Sequence, residues 1–202
     1  ISKIKAGQVD KGNYSHFMQK EIFEQPQAIR DTLESRITND SVIPSAFGHN
    51  AERIFKSIKQ VQIVACGTSY NAGLVAKYWL EDIAKTPCNV EVASEDRYRR
   101  PILQKNTLFV TLSQSGETAD TIEALKAAKQ INSSINSLCI SNSAESSLTR
   151  LSDLNFLTHA GPEIGVASTK AFTTQLVSLA LLLCSLGKLQ NNIDIKQEKE
   201  IV

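Results

Sequence analysis

Two short stretches crowd hydroxyl and amide side chains onto a glycine turn: T-L-S-Q-S-G-E-T at residues 111–118 and C-G-T-S at residues 66–69. Each follows an apolar run and precedes an amphipathic one, so each falls where a strand gives way to a helix. A helix start offers unpaired backbone N–H groups and the positive end of the macrodipole, and short hydroxyl side chains add donors around an anion. Gly67 lets the backbone bend toward a ligand beside Cys66, Thr68 and Ser69, and Ser113, Gln114, Ser115 and Thr118 repeat the arrangement. Ser and Thr are also favoured N-caps, so either turn alone reads equally well as capping. Two such turns in neighbouring units favour a shared anion pocket. Neither G-x-x-x-x-G-K-[ST] nor G-x-G-x-x-G is present, which fits a small monophosphate better than ATP or NAD.

A third stretch, G-P-E-I-G-V-A-S-T-K at residues 161–170, reads as a shaped loop over that pocket. Within it Glu163 is a weak candidate for acid–base chemistry against the alternative of a solvated turn carboxylate, and Lys170 meets either substrate or solvent. His16, His49 and His159 lack the spacing of a metal set or a triad and read as structural or surface groups. No G-x-S-x-G elbow supports serine hydrolysis. No metal and no cofactor is expected.

The elements that must position these groups follow from hydrophobic periodicity. Residues 61–65, 88–93, 107–112, 137–140 and 154–158 have strand character, and most of the intervals between them are long enough for helices. Leu74, Val75, Tyr78, Trp79 and Ile83 form one apolar stripe, and Ile122, Leu125 and Ala128 form another. Right-handed crossovers between such units give a three-layer αβα sandwich with a five-stranded parallel sheet, and both hydroxyl turns then fall at strand carboxyl ends. Residues 18–37 carry Ile22, Ile29, Leu33 and Ile37 at helical spacing, a packing arm with Pro26 as a kink or restart. Residues 39–47 read as a loop and residues 51–58 as a short helix.

Composition narrows the class. The 202 residues are 42% hydrophobic and 21% charged, with 22 basic and 21 acidic side chains and a formal net charge of +1. No bulk field draws nucleic acid or acidic lipid. Four cysteines without paired metal spacing lie in or beside apolar segments, which fits a reducing cytoplasm. The apolar segment 176–186 is about half the ~20 residues of a membrane span and reads as a buried helix. The chain opens with no signal peptide and no initiator Met, and residues 191–202 stop within what reads as a new helix, so a longer natural chain is expected.

Residues 66–71, 111–120 and 165–172 closely resemble the isomerase part of the glucosamine-6-phosphate synthase family, the glutamine:fructose-6-phosphate aminotransferases. The two hydroxyl motifs are shared widely among sugar isomerase (SIS) domains. The arm sequence H-F-M-Q-K-E-I-F-E-Q-P at residues 16–26 is more particular to the synthases. The resemblance implies a flavodoxin-like SIS domain at residues 59–190, an interdomain segment and helical arm at 1–58, and a connection toward a second SIS domain at 191–202. It also implies that Cys66, Gly67, Thr68, Ser69, Ser113, Gln114, Ser115, Thr118, Val166 and Ser168 bind fructose 6-phosphate or glucosamine 6-phosphate. For Cys66, a small buried packing group is an equal reading. The family's glutamate base, ring-opening histidine and terminal lysine belong to the second SIS domain and tail, so this chain is expected to bind but not to complete the reaction. Implied partners are a glutaminase domain, the second SIS domain and a homodimer mate, with no nucleic acid and no membrane. The rival readings are a sugar-phosphate-sensing module of a transcription regulator, here without a basic recognition helix, and a stand-alone sugar-phosphate isomerase.

Overall fold

The computed structural model describes residues 10–38, 41–99 and 101–202. The first nine residues of the arm segment, the opening Asn39 and Asp40 of the expected 39–47 loop, and Arg100 lie outside the described residues. Helix α1 (Phe17–Leu33) is followed by two very short strands, β1 (Ile37–Thr38) and β2 (Ser41–Val42), a 3-10 turn at Pro44–Phe47 and α2 (Ala51–Ser57). The core then alternates as β3 (Gln60–Ala65), α3 (Gly67–Asp82), β4 (Cys88–Val92), α4 (Ala93–Asp96), β5 (Thr107–Ser113) and α5 (Ala119–Ile131). It continues through β6 (Asn136–Ser141), α6 (Ser147–Leu151), β7 (Leu154–Leu157), α7 (Lys170–Leu189) and α8 (Ile195–Ile201).

Strands β3 to β7 form one parallel sheet in the order β4-β3-β5-β6-β7. Apolar runs predict strands buried on both faces, and β5 in the middle is buried along its whole length. Alternate residues feed two cores. Val61, Ile63, Ala65, Val110, Leu112, Ile140 and Phe156 pack with α2, α3 and α7, whereas Val64, Phe109 and Cys139 pack with Ala124, Leu125 and Ala128 of α5. This is the expected three-layer sandwich. Cys88, Cys139 and Cys184 are buried and all four thiols are free. Burial pushes the Cys88 thiol up to about 12 and the Cys139 and Cys184 thiols up to about 11, so these three pack as neutral groups.

Two helices bury small or polar residues more deeply than the large apolar ones of the expected stripes, of which Leu33, Trp79 and Ile83 pack partly buried against the main core. In α3 the packed side is Ala72, Gly73, Ala76 and Leu80, and Tyr78 is exposed. Small residues are required there, because a Cβ on Gly73 would stand only 3.0 Å from side-chain carbons of both Ile63 and Val90. In α1 the buried residues are Glu21, Ala28 and Thr32, and Ile22 faces outward. Pro26 neither ends nor restarts this helix. It removes the N–H that would reach the Ile22 carbonyl, and the Gln25 side-chain amide donates to that carbonyl instead at 2.9 Å. The arm's helix stops at Leu33, and Ile37 belongs to β1.

Helix α7 runs for 20 residues, and by length and composition alone it is long and apolar enough to cross a membrane. The apolar stretch is thus longer than residues 176–186 suggest. Its apolar side chains nevertheless line the main core, with Leu179, Leu182, Cys184 and Leu186 at or near zero exposure.

Asp96, at the end of α4, is 3% exposed and its Oδ1 has no hydrogen-bond partner among the described residues. Burial, with a smaller contribution from the Glu91 carboxylate and against the pull of Arg99, raises its carboxyl to about 6. A raised folded-state value means that folding is unpenalised below the unfolded value and loses stability as pH climbs through about 6. Asp96→Asn is therefore expected to gain stability relative to the native chain between pH 4 and pH 8, by on the order of 2 kcal/mol. Urea unfolding at the two pH values measures this, and a difference that stays constant with pH would show that the carboxyl is not held in its protonated form.

Candidate functional site

A parallel sheet in this order has its switch point between β3 and β5, where the chain leaves to opposite sides, and ligands in such sheets sit outside the strand carboxyl ends at that point. Both hydroxyl turns arrive there. Cys66 ends β3 and precedes α3, and Ser113 closes β5 ahead of α5. A cavity of about 280 Å³ lies between them, bounded on its third side by the loop before α7. It is lined by Cys66, Thr68, Ser69, Ser113, Gln114, Ser115, Thr118, Glu163, Val166 and Ser168, all singled out from the sequence. Gly67 does not line it but shapes it, turning the backbone at a φ of +56° as α3 begins. Leu112 and Gly165 complete the lining and were not expected there.

The hydroxyls do not serve as helix caps. Neither Cys66 at the start of α3 nor Thr118 at the start of α5 bonds its helix's first turn through its side chain. Instead Ser113 Oγ accepts from Gly116 N at 3.0 Å and lies 3.0 Å from Thr118 Oγ1, and Ser115 Oγ accepts from Glu117 N at 3.1 Å. These bonds fold the 113–118 turn onto itself ahead of a 13-residue helix, and across the cavity stands the start of the 16-residue α3. Two helix N-termini therefore converge on one space, each with partial positive charge. No Lys or Arg lines the cavity among the described residues, so what it offers an anion is neutral donors and helix ends.

Outside groups hold the turn in place. Glu117 Oε1 accepts from Ser147 N at 2.7 Å, and the Ser147 hydroxyl and N–H, with a smaller part from Arg150, keep the Glu117 carboxyl below its usual value. Ser69 Oγ accepts from the side-chain amide of Gln175 at 2.9 Å, a 2% exposed residue of α7. Gln175 could have been noticed as a lone amide on the inner side of an apolar helix.

Glu163 is half-buried, neither a solvated turn residue nor a free carboxylate. Its Oε1 accepts from Thr169 N at 2.9 Å and Ala171 N at 3.1 Å, and its Oε2 accepts from Ser168 Oγ at 3.2 Å. It thus supplies negative charge and acceptors to the first turn of α7. Lys170 meets neither this cavity nor solvent. It is 4% exposed and donates to Glu24 Oε2 at 2.6 Å, behind the loop, where a separate cavity of about 170 Å³ also borders Asp31 and His159. His159 is exposed, and the partial desolvation of its ring together with the nearby Arg36 keeps its imidazole below the usual value. It lies away from the hydroxyl cradle.

The fold and site define a class. The SIS domain family model matches residues 54–185, and the chain belongs to this family. It is 57% identical over 193 residues to the glutamine–fructose-6-phosphate aminotransferase [isomerizing] of Aliivibrio fischeri, covering 96% of this chain and 32% of that protein. With the Pseudomonas putida protein of the same name the identity is 58%, over 96% of this chain and 31% of the relative. The solved C-terminal domain of glucosamine-fructose-6-phosphate aminotransferase from Francisella tularensis matches with a TM-score of 0.91 at 49% identity, over 95% of this chain and 54% of that one. The chain spans about a third of the length of the curated relatives it matches.

Two glycines of the site separate conformational from steric demands. Both have positive φ, but a Cβ on Gly67 meets nothing within 4 Å, whereas one on Gly116 would lie 2.1 Å from Ser146 Oγ and 2.4 Å from Ser146 Cβ. Ser146 is buried and caps α6, so it has little room to yield. Gly67→Ala should cost about 1 kcal/mol, the left-handed penalty alone, and Gly116→Ala about 3 kcal/mol. Equal losses of stability in chemical denaturation would show that Ser146 moves aside freely.

Proposed function

We propose that this chain binds fructose 6-phosphate and glucosamine 6-phosphate as the phosphate-gripping half of the isomerase module of a glutamine–fructose-6-phosphate aminotransferase. That enzyme makes glucosamine 6-phosphate and glutamate from fructose 6-phosphate and glutamine. One observation carries the reading: the hydroxyls of Thr68, Ser69, Ser113, Ser115 and Thr118 meet in a single cavity between two helix N-termini, in a chain 57% identical over nearly its whole length to such an enzyme. The phosphate sits between Thr68 and Ser69 on one side and Ser113, Gln114, Ser115 and Thr118 on the other. The sugar extends toward Val166 and Ser168, with Cys66 at the floor.

The ionisable groups on the cavity wall are Cys66 and Glu163. Glu163 is committed to the start of α7, so proton transfer between the first two sugar carbons falls to groups supplied by other parts of the enzyme. On this reading those groups belong to a second SIS domain and tail, and the ammonia source to a glutaminase domain. Exposed Met18, Ile22, Phe23 and Val166 suit contact with such neighbours or with a second copy. Four unpaired thiols suit a cytoplasmic setting.

Calorimetric titration with fructose 6-phosphate, fructose and inorganic phosphate tests the reading. Fructose 6-phosphate is expected to bind, fructose not at all, and Thr118→Val should weaken the sugar phosphate about tenfold, as loss of one hydrogen bond to a charged group implies. With ammonia supplied, the chain alone should yield no amino sugar. Binding of fructose as tight as that of its 6-phosphate, or turnover by this chain unaided, would overturn the proposal.

A further inference from the structure

We propose that Glu21, in the arm helix α1, is a positioning residue for the sugar end of the site, and that through it the arm decides how well the pocket distinguishes a sugar phosphate from bare phosphate. This rests on the sugar-phosphate reading above. Glu21 lies outside the matched SIS domain, which begins at residue 54, and no motif of the hydroxyl turns includes it.

The geometry is that of a clamp. Glu21 is 2% exposed, and its carboxylate accepts from Ile164 N at 2.5 Å and from Gly165 N at 3.0 and 3.2 Å. Burying a carboxylate is costly unless its lone pairs are used, and here two successive backbone N–H groups of the pocket loop use them. The contact is close enough that a Cβ on Gly165 would lie 2.5 Å from Glu21 Oε2, which explains why glycine stands there although its φ does not demand it. From just before these two residues, Glu163 reaches across the loop to grip Ser168, Thr169 and Ala171 on its far side. The loop is therefore held at both ends by carboxylates, and the span between them carries Val166 to the cavity wall.

The phosphate turn has other supports. Gln114 O accepts from Asn142 N at 3.1 Å, Gly116 O accepts from Leu148 N at 3.2 Å, and Glu117 accepts from Ser147. The arm holds α7 by further bonds, Glu24 with Lys170 and Gln25 with Thr173, so removing Glu21 alone leaves α1 docked. Loss of Glu21 should thus loosen the sugar side of the pocket and spare the phosphate side.

Two measurements on Glu21→Leu and the conservative Glu21→Gln decide the matter. Without ligand, hydrogen exchange at the Ile164 and Gly165 amides should quicken in Glu21→Leu, less in Glu21→Gln, while amides in the middle of α7 keep their protection. With ligand, Glu21→Leu should weaken fructose 6-phosphate about thirtyfold and Glu21→Gln about fivefold, with inorganic phosphate changed less than about twofold in both. Unchanged exchange at 164 and 165 overturns the positioning role whatever the ligand. Equal weakening of sugar phosphate and phosphate overturns it too, by showing a general loss of structure. If Glu21→Leu does not fold, Glu21→Gln decides by the same ratio. Altered exchange in a native chain that binds no sugar phosphate sinks the functional reading and with it the role in discrimination, leaving only the loop clamp.

Discussion

Strand β3 is the point from which the site is built. The chain leaves it through α3 to form β4 on one side, returns on the other side as β5 and leaves β5 through α5 toward β6, since each parallel crossover carries the chain back across a face. The starts of α3 and α5 are thereby delivered side by side, above the carboxyl ends of adjacent strands. Register sets their height: Ala65 pairs with Leu112, so Cys66 and Ser113 emerge at the same level and their turns face one another. Every other feature of the cavity is an addition to that pair of helix ends.

The additions come from elements far away in sequence. Helix α7 contributes Gln175, which orients Ser69, and receives the Glu163 carboxylate at its own start. The arm contributes Glu21, and its Glu24 neutralises the buried Lys170. The sheet thus sets the hydroxyl cradle proposed for the phosphate, and the packing of α1 against α7 provides the wall on which a sugar would rest. Buried polar groups are costly to desolvate, and each one named here is answered by a backbone N–H, a hydroxyl or an opposite charge.

The five strands were legible because strands covered on both faces need continuous apolar runs, and residues 61–65 and 107–112 are such runs. The hydroxyl turns were legible because glycine, Ser and Thr cluster there for conformational and chemical reasons together. The packed faces of α1 and α3 were not. On α3 the close approach to Ile63 and Val90 selects Ala72, Gly73 and Ala76, while the bulky Tyr78 points outward. On α1 the inner face is polar, because Glu21 and Thr32 answer backbone groups brought near only by folding. No local pattern marks such a pairing across more than a hundred residues. Strands β1 and β2 and helices α4 and α6 are too short to imprint a period.

Among the described residues no cation stands on the cavity wall, which has a consequence for how the site would work in a cell. An anion held by lysines is held through long-range attraction, which dissolved ions weaken and which accepts almost any negative group. An anion held by hydroxyls and helix ends is recognised at contact distance, by the directions in which its oxygens point. Ionic strength then matters little, and shape matters a great deal. Such a cradle can stand among abundant carboxylates and nucleotides and leave them alone, which is what selecting one metabolite from a crowded pool requires.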